Sequence, residues 1–325
     1  MVSDASDVAP VVQSTADDIA EMRIRGAATI ADAAAEALAT QAELSDASSP
    51  AAFRSQMHAA AKTVYETRPT AVSLPNALRY VLREMDGDTV DELRSSTIAG
   101  AEAFRRNLER AQTTLGEIGA NRLRDGDVVM THCHSTDALA CIEAALEAGK
   151  HIEAIVRETR PRNQGHITAR QLREWGVPVT LIVDNAARRY LNDADHVLVG
   201  ADSIAADGSV INKIGTSGLA VNARERGVPV MVAAQTIKLH PDTLTGHTVA
   251  IETRDETEVL TPSERNEITP HESDDELTVE NPAFDVTPPR HVDAIVTERG
   301  QFPPESIVTL MRELFGETTR DPWET

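Results

Sequence analysis

Lysine is almost missing from this chain: Lys62, Lys150, Lys213 and Lys238 are the only four among 325 residues. Acidic residues number 52 against 31 basic ones, for a formal net charge of -21. That balance argues against nucleic acid as the main partner, because phosphate binding needs clustered cations. An Arg-biased, acidic, Ala-rich surface instead suits a halophilic protein, whose carboxylates keep it dissolved in concentrated salt. Cysteine is scarce as well. Cys133 and Cys141 stand eight residues apart, which is neither a disulfide framework nor a metal-ligand spacing. Aromatic residues are few. No apolar run approaches a membrane span, and the start MVSDASDVAP lacks a basic-then-apolar signal, so a soluble, cytoplasmic protein is expected. A G-x-G-x-x-G or Walker loop is also missing, which sets aside dinucleotide redox chemistry and nucleotide hydrolysis.

What is present falls into two parts. Residues 1–125 read as a helical domain, with apolar residues at helical spacing over Val8–Leu44, Phe53–Thr67, Pro75–Met85 and Val90–Ile118. From Asp127 strand-like runs alternate with helices: Val128–Met130, Ile152–Val156, Val177–Val183, His196–Val199, Val228–Ala233 and Ala294–Val296. That alternation predicts an α/β domain over 126–325, with a parallel sheet covered by helices on both faces. Glu252 to Pro289 is acidic and lacks a period; its first half, around 253–280, reads as an exposed insertion too poor in apolar surface to order itself. Ser306–Phe315 is expected to be a closing helix.

A doubly wound sheet collects its ligands at the carboxyl ends of its strands. The residues expected on that rim are Cys133, Glu158, Arg160, Asp184, Asp202 and Gln235. Cys133 leaves an apolar strand, precedes a helix start and stands between His132 and His134. A helix dipole and cationic neighbours lower a thiol pKa, which makes a thiolate base or nucleophile; the alternative is a small buried hydrophobe, the reading that fits Cys141. The two histidines have no third ligand spaced with them, so no metal is expected and a hydrogen-bond network is the better reading. Asp202 follows the strand Val197–Val199 and Gly200-Ala201, which would present an acid of raised pKa from an apolar wall, although a turn cap is the common use of Asp. Asn212 and Lys213 precede Gly215-Thr216, which open a helix, and a Lys beside a helix N-terminus can hold phosphate. Arg25, at the break before Gly26-Ala27-Ala28, Arg68 before Pro69, and Lys238 are further cations at helix or loop ends. Arg25 could equally mark a surface helix break. In so acidic a chain, cations placed this way point to a strongly anionic ligand, a bisphosphate above all.

The stretches RGAATI, RPTAVSLPNAL, MTHCHS, ETRPRNQG, GADSI, NKIGT and NPAFDVTPP occur together and in this order from Arg25 to Pro289. In that combination the chain resembles the sugar-phosphate isomerases related to the regulatory subunits of the eukaryotic initiation-factor exchange complex. Cys133 with Asp202 marks the catalytic branch rather than the regulatory one. His134-Ser135-Thr136 after the cysteine, where the methylthioribose-1-phosphate branch usually has Asn-Thr-Gly, points to the archaeal branch acting on ribose 1,5-bisphosphate. The resemblance implies a helical N-terminal domain, a Rossmann-like C-terminal domain and homo-oligomers, dimers or hexamers. It also implies aldose–ketose isomerisation in AMP degradation, with Cys133 as base, Asp202 as acid and no cofactor. Arg25, Gly26, Ala27, Ala28, Arg68, Ser135, Thr136, Asp137, Asn212, Lys213 and Lys238 would hold the substrate.

Overall fold

The computed structural model describes residues 8–24, 26–69, 71–269 and 277–315, together with Trp323. Packing divides them into two compact units. One comprises residues up to Gln112 with Thr236–His240 and the segment from Arg312; the other holds Thr113–Gln235 and Pro241–Met311. The division is therefore not the single cut at 125/126 that composition suggests. Arg25 lies outside the described residues.

The first unit contains α1 (Pro10–Ala20), α2 (Ala27–Leu44), α3 (Pro50–Tyr65), α4 (Ser73–Arg83) and most of α5 (Val90–Ala120). The start of α3 is written in its sequence. Ser49 caps α3, its hydroxyl accepting from the Ala52 N–H at 3.2 Å, and Pro50 occupies the first helical position, where no N–H is needed. Ala-rich faces let the helices pack closely around fully buried Leu38, Phe53, Met57, Leu74 and Leu78. Each such large side chain contributes about 1.5–3 kcal/mol over leaving it in water. The Asn76 amide on α4 is buried and donates to the carbonyls of Ile237 and Leu239 at 2.9 and 2.8 Å. Those two bonds tie Thr236–His240, and hence Lys238, to the helical unit.

The second unit carries β1 (Val128–His132), α6 (Thr136–Glu147), β2 (Glu153–Arg157), α7 (Gln164–Glu174), β3 (Val179–Ile182), α8 (Ala187–Tyr190), β4 (His196–Val199), β5 (Ser203–Ala205), β6 (Val210–Lys213), α9 (Thr216–Arg226) and β7 (Val230–Ala233). The two-residue β8 (Leu239–His240) belongs to the first unit. Then follow α10 (Pro262–Ile268), β9 (Phe284–Thr287), β10 (Ala294–Thr297), β11 (Gly300–Phe302) and α11 (Ile307–Phe315). Seven strands form one sheet in the order β11-β10-β7-β4-β1-β2-β3. All neighbours in it are parallel except β10 and β11. All six strands expected from the apolar runs are in it, and its strands read as near-continuous Val, Ile and Leu because the sheet is buried. Strand order reverses direction from β1, with β2 and β3 on one side and β4, β7 and β10 on the other. That is the switch point where such sheets bind ligands, and Cys133 directly follows β1.

Two features depart from expectation. A second, antiparallel ladder, β5–β6–β9, flanks the rim; it pairs Asn212 with Asp285 and Lys213 with Phe284. Residues 270–276 of the expected insertion lie outside the described residues, and the described part of the segment after Glu252 is more ordered than its composition suggests. Thr253 bridges to Pro282, the Asn281 amide donates to the Asp255 carbonyl at 2.8 Å, and Thr261 with Glu264 forms a capping box for α10. The Arg162 Nε donates to the Glu258 carboxylate at 2.8 Å. Polar bonds and a helix cap supply the order that apolar burial does not.

Candidate functional site

At the carboxyl end of β1 the chain makes one abrupt move: Cys133 adopts φ +67°, a left-handed backbone that costs a non-glycine residue free energy. Its peptide is clamped on both sides. The Cys133 N–H donates to the Thr159 hydroxyl at 2.9 Å, and the Thr168 hydroxyl donates to the Cys133 carbonyl at 2.8 Å. Ser135 then caps α6 through the Ala138 N–H at 3.2 Å. Gly200, at the end of β4, is needed for that cap, since a Cβ there would fall 2.1 Å from the Ser135 Oγ.

The thiol itself corrects the sequence reading. Burial pushes it up to about 11, against the Lys213 charge, which pulls it down. Asp202 adds to the rise, and the Arg254 guanidinium opposes it. The flanking histidines do not supply cations, because burial depresses both imidazoles and leaves them neutral near pH 7. His132 is fully enclosed, with Nε2 2.8 Å from the Ile214 carbonyl, and His134 Nδ1 lies 3.0 Å from the Thr168 hydroxyl. The pair is a hydrogen-bond network, as its sequence context suggests.

Lys213 ends β6 and is 6 % exposed, an uncommon fate for lysine. Its ammonium lies 4.5 Å from the centroid of the Phe284 ring, a cation–π contact between paired strands. Burial lowers its pKa, and so does Arg254, while Asp202 and Cys133 act the other way. Cys133, Lys213, Asp202 and Arg254 therefore form one electrostatically connected cluster. Arg254 was missed because it sits in the acidic segment read as an insertion. Its Nε lies 3.3 Å from the Glu252 carboxylate, and its N–H donates to Asn281 at 2.9 Å.

The expected phosphate seat at the start of α9 is occupied. Asp285, on β9, accepts the Gly215 N–H at 2.7 Å and the Ser217 N–H at 3.0 Å. A carboxylate thus fills the place that a helix N-terminus would offer an anion, and the Lys213 ammonium remains the cation of this corner. Burial raises the Asp285 pKa against those same backbone bonds. Gly215 takes φ +99°, and a Cβ there would lie 3.1 Å from an Arg157 guanidinium nitrogen, so this bend accepts little but glycine. Asn212 turns its amide to the Thr216 hydroxyl at 3.0 Å. Asp137 is fully buried and accepts from the Gln235 side chain and backbone at 2.9 and 3.2 Å, which makes it a brace between strand ends. Thr136 and Asp202 are exposed.

The rim is offset by one residue after β2. Glu158 and Arg160 were expected there, but Thr159 adopts φ +66° and is fully buried while Arg160 is exposed. Arg157 and Thr159 point inward instead. Arg157 donates to the Gly215 carbonyl at 2.8 Å and faces Asp184 at 3.6 Å. Of the remaining candidates, Gly26, Ala27, Ala28, Arg68 and Lys238 belong to the helical unit, where Gly26 precedes α2 at φ +95°. Cys141 is buried with its thiol 3.4 Å from the Asp137 carbonyl, a packing role.

The chain is similar to several known proteins. A ribose 1,5-bisphosphate isomerase of Haloterrigena turkmenica is 79% identical, over 98% of each chain. One from Thermococcus kodakarensis is 48% identical, over 96% of this chain and 98% of its own. Among solved structures, a 5-methylthioribose 1-phosphate isomerase of Pyrococcus horikoshii superposes with a TM-score of 0.74 at 32% identity, covering 93% of this chain and 88% of that one. A translation initiation factor eIF-2B of the same organism gives 0.76 at 31% identity, covering 92% and 99%. The model of the initiation factor 2 subunit family matches residues 23–304, most of both units, and the chain belongs to that family.

Proposed function

We propose that the chain is an isomerase that converts α-D-ribose 1,5-bisphosphate to D-ribulose 1,5-bisphosphate. One observation carries this reading within the family: a thiol at the switch point of the sheet, in charge contact with a buried lysine and an exposed carboxyl. Near-full-length identity of 79% to an isomerase of that name supports the substrate. The Asp202 carboxyl protonates the ring oxygen, and the C1–O bond of the ring breaks. The Cys133 thiolate removes the proton on C2, giving an enol between C1 and C2. The thiol returns that proton to C1 while the C2 hydroxyl gives its own to Asp202, so both groups finish as they began. Each proton transfer by a placed side chain is worth about 10²–10⁴-fold. Lys213 binds phosphate or the developing oxyanion. The resemblance adds Arg25, Gly26, Ala27, Ala28, Arg68, Ser135, Thr136, Asn212 and Lys238 as substrate contacts, a homo-oligomeric state and a place in AMP degradation. Asp137 serves by bracing Gln235.

The test is direct. Purified protein in molar salt, offered ribose 1,5-bisphosphate and methylthioribose 1-phosphate, is expected to form ketose from the first at least a hundredfold faster. Faster turnover of the second would assign the sister activity, and turnover of neither would leave a regulatory subunit. Lys213→Met is expected to raise KM by about 10- to 100-fold with a smaller loss of kcat, since a bond to a charged group contributes roughly 1.5–3 kcal/mol. Unchanged steady-state constants would remove Lys213 from the substrate site.

A further inference from the structure

Thr159 has no part in the chemistry above, yet the chain is bent at some cost to place it. Both Thr159 and Cys133 hold left-handed backbone, with φ +66° and +67°. For a β-branched residue this is a true outlier. Such strain persists only where the surroundings over-determine it.

The surroundings are on hand. The Thr159 hydroxyl accepts the Cys133 N–H at 2.9 Å and lies 3.2 Å from His132 Nδ1. The His132 tautomer follows from its other side. Nε2 faces the Ile214 carbonyl at 2.8 Å, which can only accept, so Nε2 carries the hydrogen. With the ring neutral, Nδ1 is an acceptor at 3.2 Å and the Arg157 carbonyl is a second at 3.1 Å, so the threonine proton goes to one of these two. That leaves an oxygen lone pair aimed at the Cys133 N–H. Asp184 holds the bend from behind, its two oxygens accepting the Thr159 and Arg160 N–H groups at 2.9 and 2.8 Å. The chain Asp184–Thr159–Cys133, with His132 and Arg157 orienting its middle member, links the ends of β1, β2 and β3 through buried or half-buried groups.

We propose that Thr159 is a positioning residue for the reaction: its hydroxyl, oriented by the acceptors on His132 and Arg157 and anchored through Asp184, locks the Cys133 peptide in the left-handed conformation that sets the direction of the Cα–Cβ bond. This rests on Cys133 being the base. A valine has the same shape and cannot accept the N–H; a serine can.

In the full-length enzyme, Thr159→Val is expected to lower kcat about 10- to 100-fold with KM within twofold, and Thr159→Ser to restore kcat to within about threefold of wild type. Amide hydrogen exchange of the 131–136 segment gives a readout independent of turnover: it should quicken in Thr159→Val and stay slow in Thr159→Ser. Should Thr159→Val show no cooperative melt, Thr168→Val removes the hydroxyl on the Cys133 carbonyl and is expected to give the same split between kcat and KM. A folded Thr159→Val enzyme with wild-type kcat and wild-type exchange overturns the proposal. So does a Thr159→Ser enzyme as impaired as the valine variant. An active Cys133→Ser enzyme would remove the base assignment instead, and the exchange result would then judge the lock alone.

Discussion

Cys133→Ser is expected to lose activity by about 10⁴-fold, to background. A serine hydroxyl is far too weak an acid to exist as the conjugate base at any working pH, so no side chain remains to take the C2 proton. Burial of the thiol gives the wild-type enzyme a signature that the variant must lack. With its pKa pushed up to about 11, only a small fraction is thiolate at neutrality, and that fraction grows as pH rises. Turnover also needs Asp202 in its acid form, which declines as the thiolate grows, so wild-type kcat/KM should stay level with pH until the thiol is ionised near 11 and fall above that. In D₂O, deuterium enters C1 of the ketose only as far as the thiol exchanges with solvent before it returns its proton, so the label is read together with the variants. An active serine variant would sink the proton-transfer role. A kcat/KM that rises steadily with pH would mean that the thiolate works without a protonated acid beside it.

Asp202→Asn is expected to fall by about 10²–10⁴-fold in kcat while still binding substrate, because the amide keeps the size and reach of the acid but has no proton to give the ring oxygen. The carboxyl stands at the end of β4 with its N–H held by the Ile211 carbonyl at 2.9 Å, so the substitution leaves the turn in place. The informative comparison is an open-chain substrate analogue. If ring opening is the larger step lost, turnover of such an analogue should fall less than that of the cyclic substrate in Asp202→Asn, where only the acceptor for the C2-hydroxyl proton is missing, and vanish in Cys133→Ser. Equal loss on both substrates would mean that Asp202 serves the enol step alone, and full activity would exclude it from the chemistry.

How far the sequence carries this site depends on how local each signal is. The parallel strands were legible because each is a short run of Val, Ile or Leu ending in polar residues, and the switch-point thiol follows from that pattern alone. β5, β6 and β9 were not. The first has three residues, and β9 pairs with β6 across some seventy residues of intervening chain. The same distance hid Asp285, whose carboxylate takes the helix start that Lys213 seemed to leave for phosphate. The thiol pKa was misjudged because His132 and His134 look cationic on paper; enclosure makes them neutral, a property of packing rather than of neighbours in the chain. Thr159 was passed over for the charged residues on either side of it, since only a left-handed bend turns the middle one inward. A threonine between Glu158 and Arg160 carries no chemical flag. Arg254 was lost to composition, because an acidic, Pro-containing segment draws its order from caps and ion pairs that apolar counting ignores.

The scarcity of lysine has a practical consequence once the fold is known. Lys213 and Lys238 are buried, and the Lys150 ammonium is held by the Ala120 and Leu123 carbonyls at 2.7 Å each. Lys62, on α3, is the one whose side chain is largely exposed, at 60%. Amine-directed reagents thus meet a single open lysine side chain in this chain, remote in sequence from the candidate base. Of the lysines, Lys62 on the helical unit would carry a fluorophore or a surface tether attached through amine chemistry, and the buried lysine of the site would be left unlabelled.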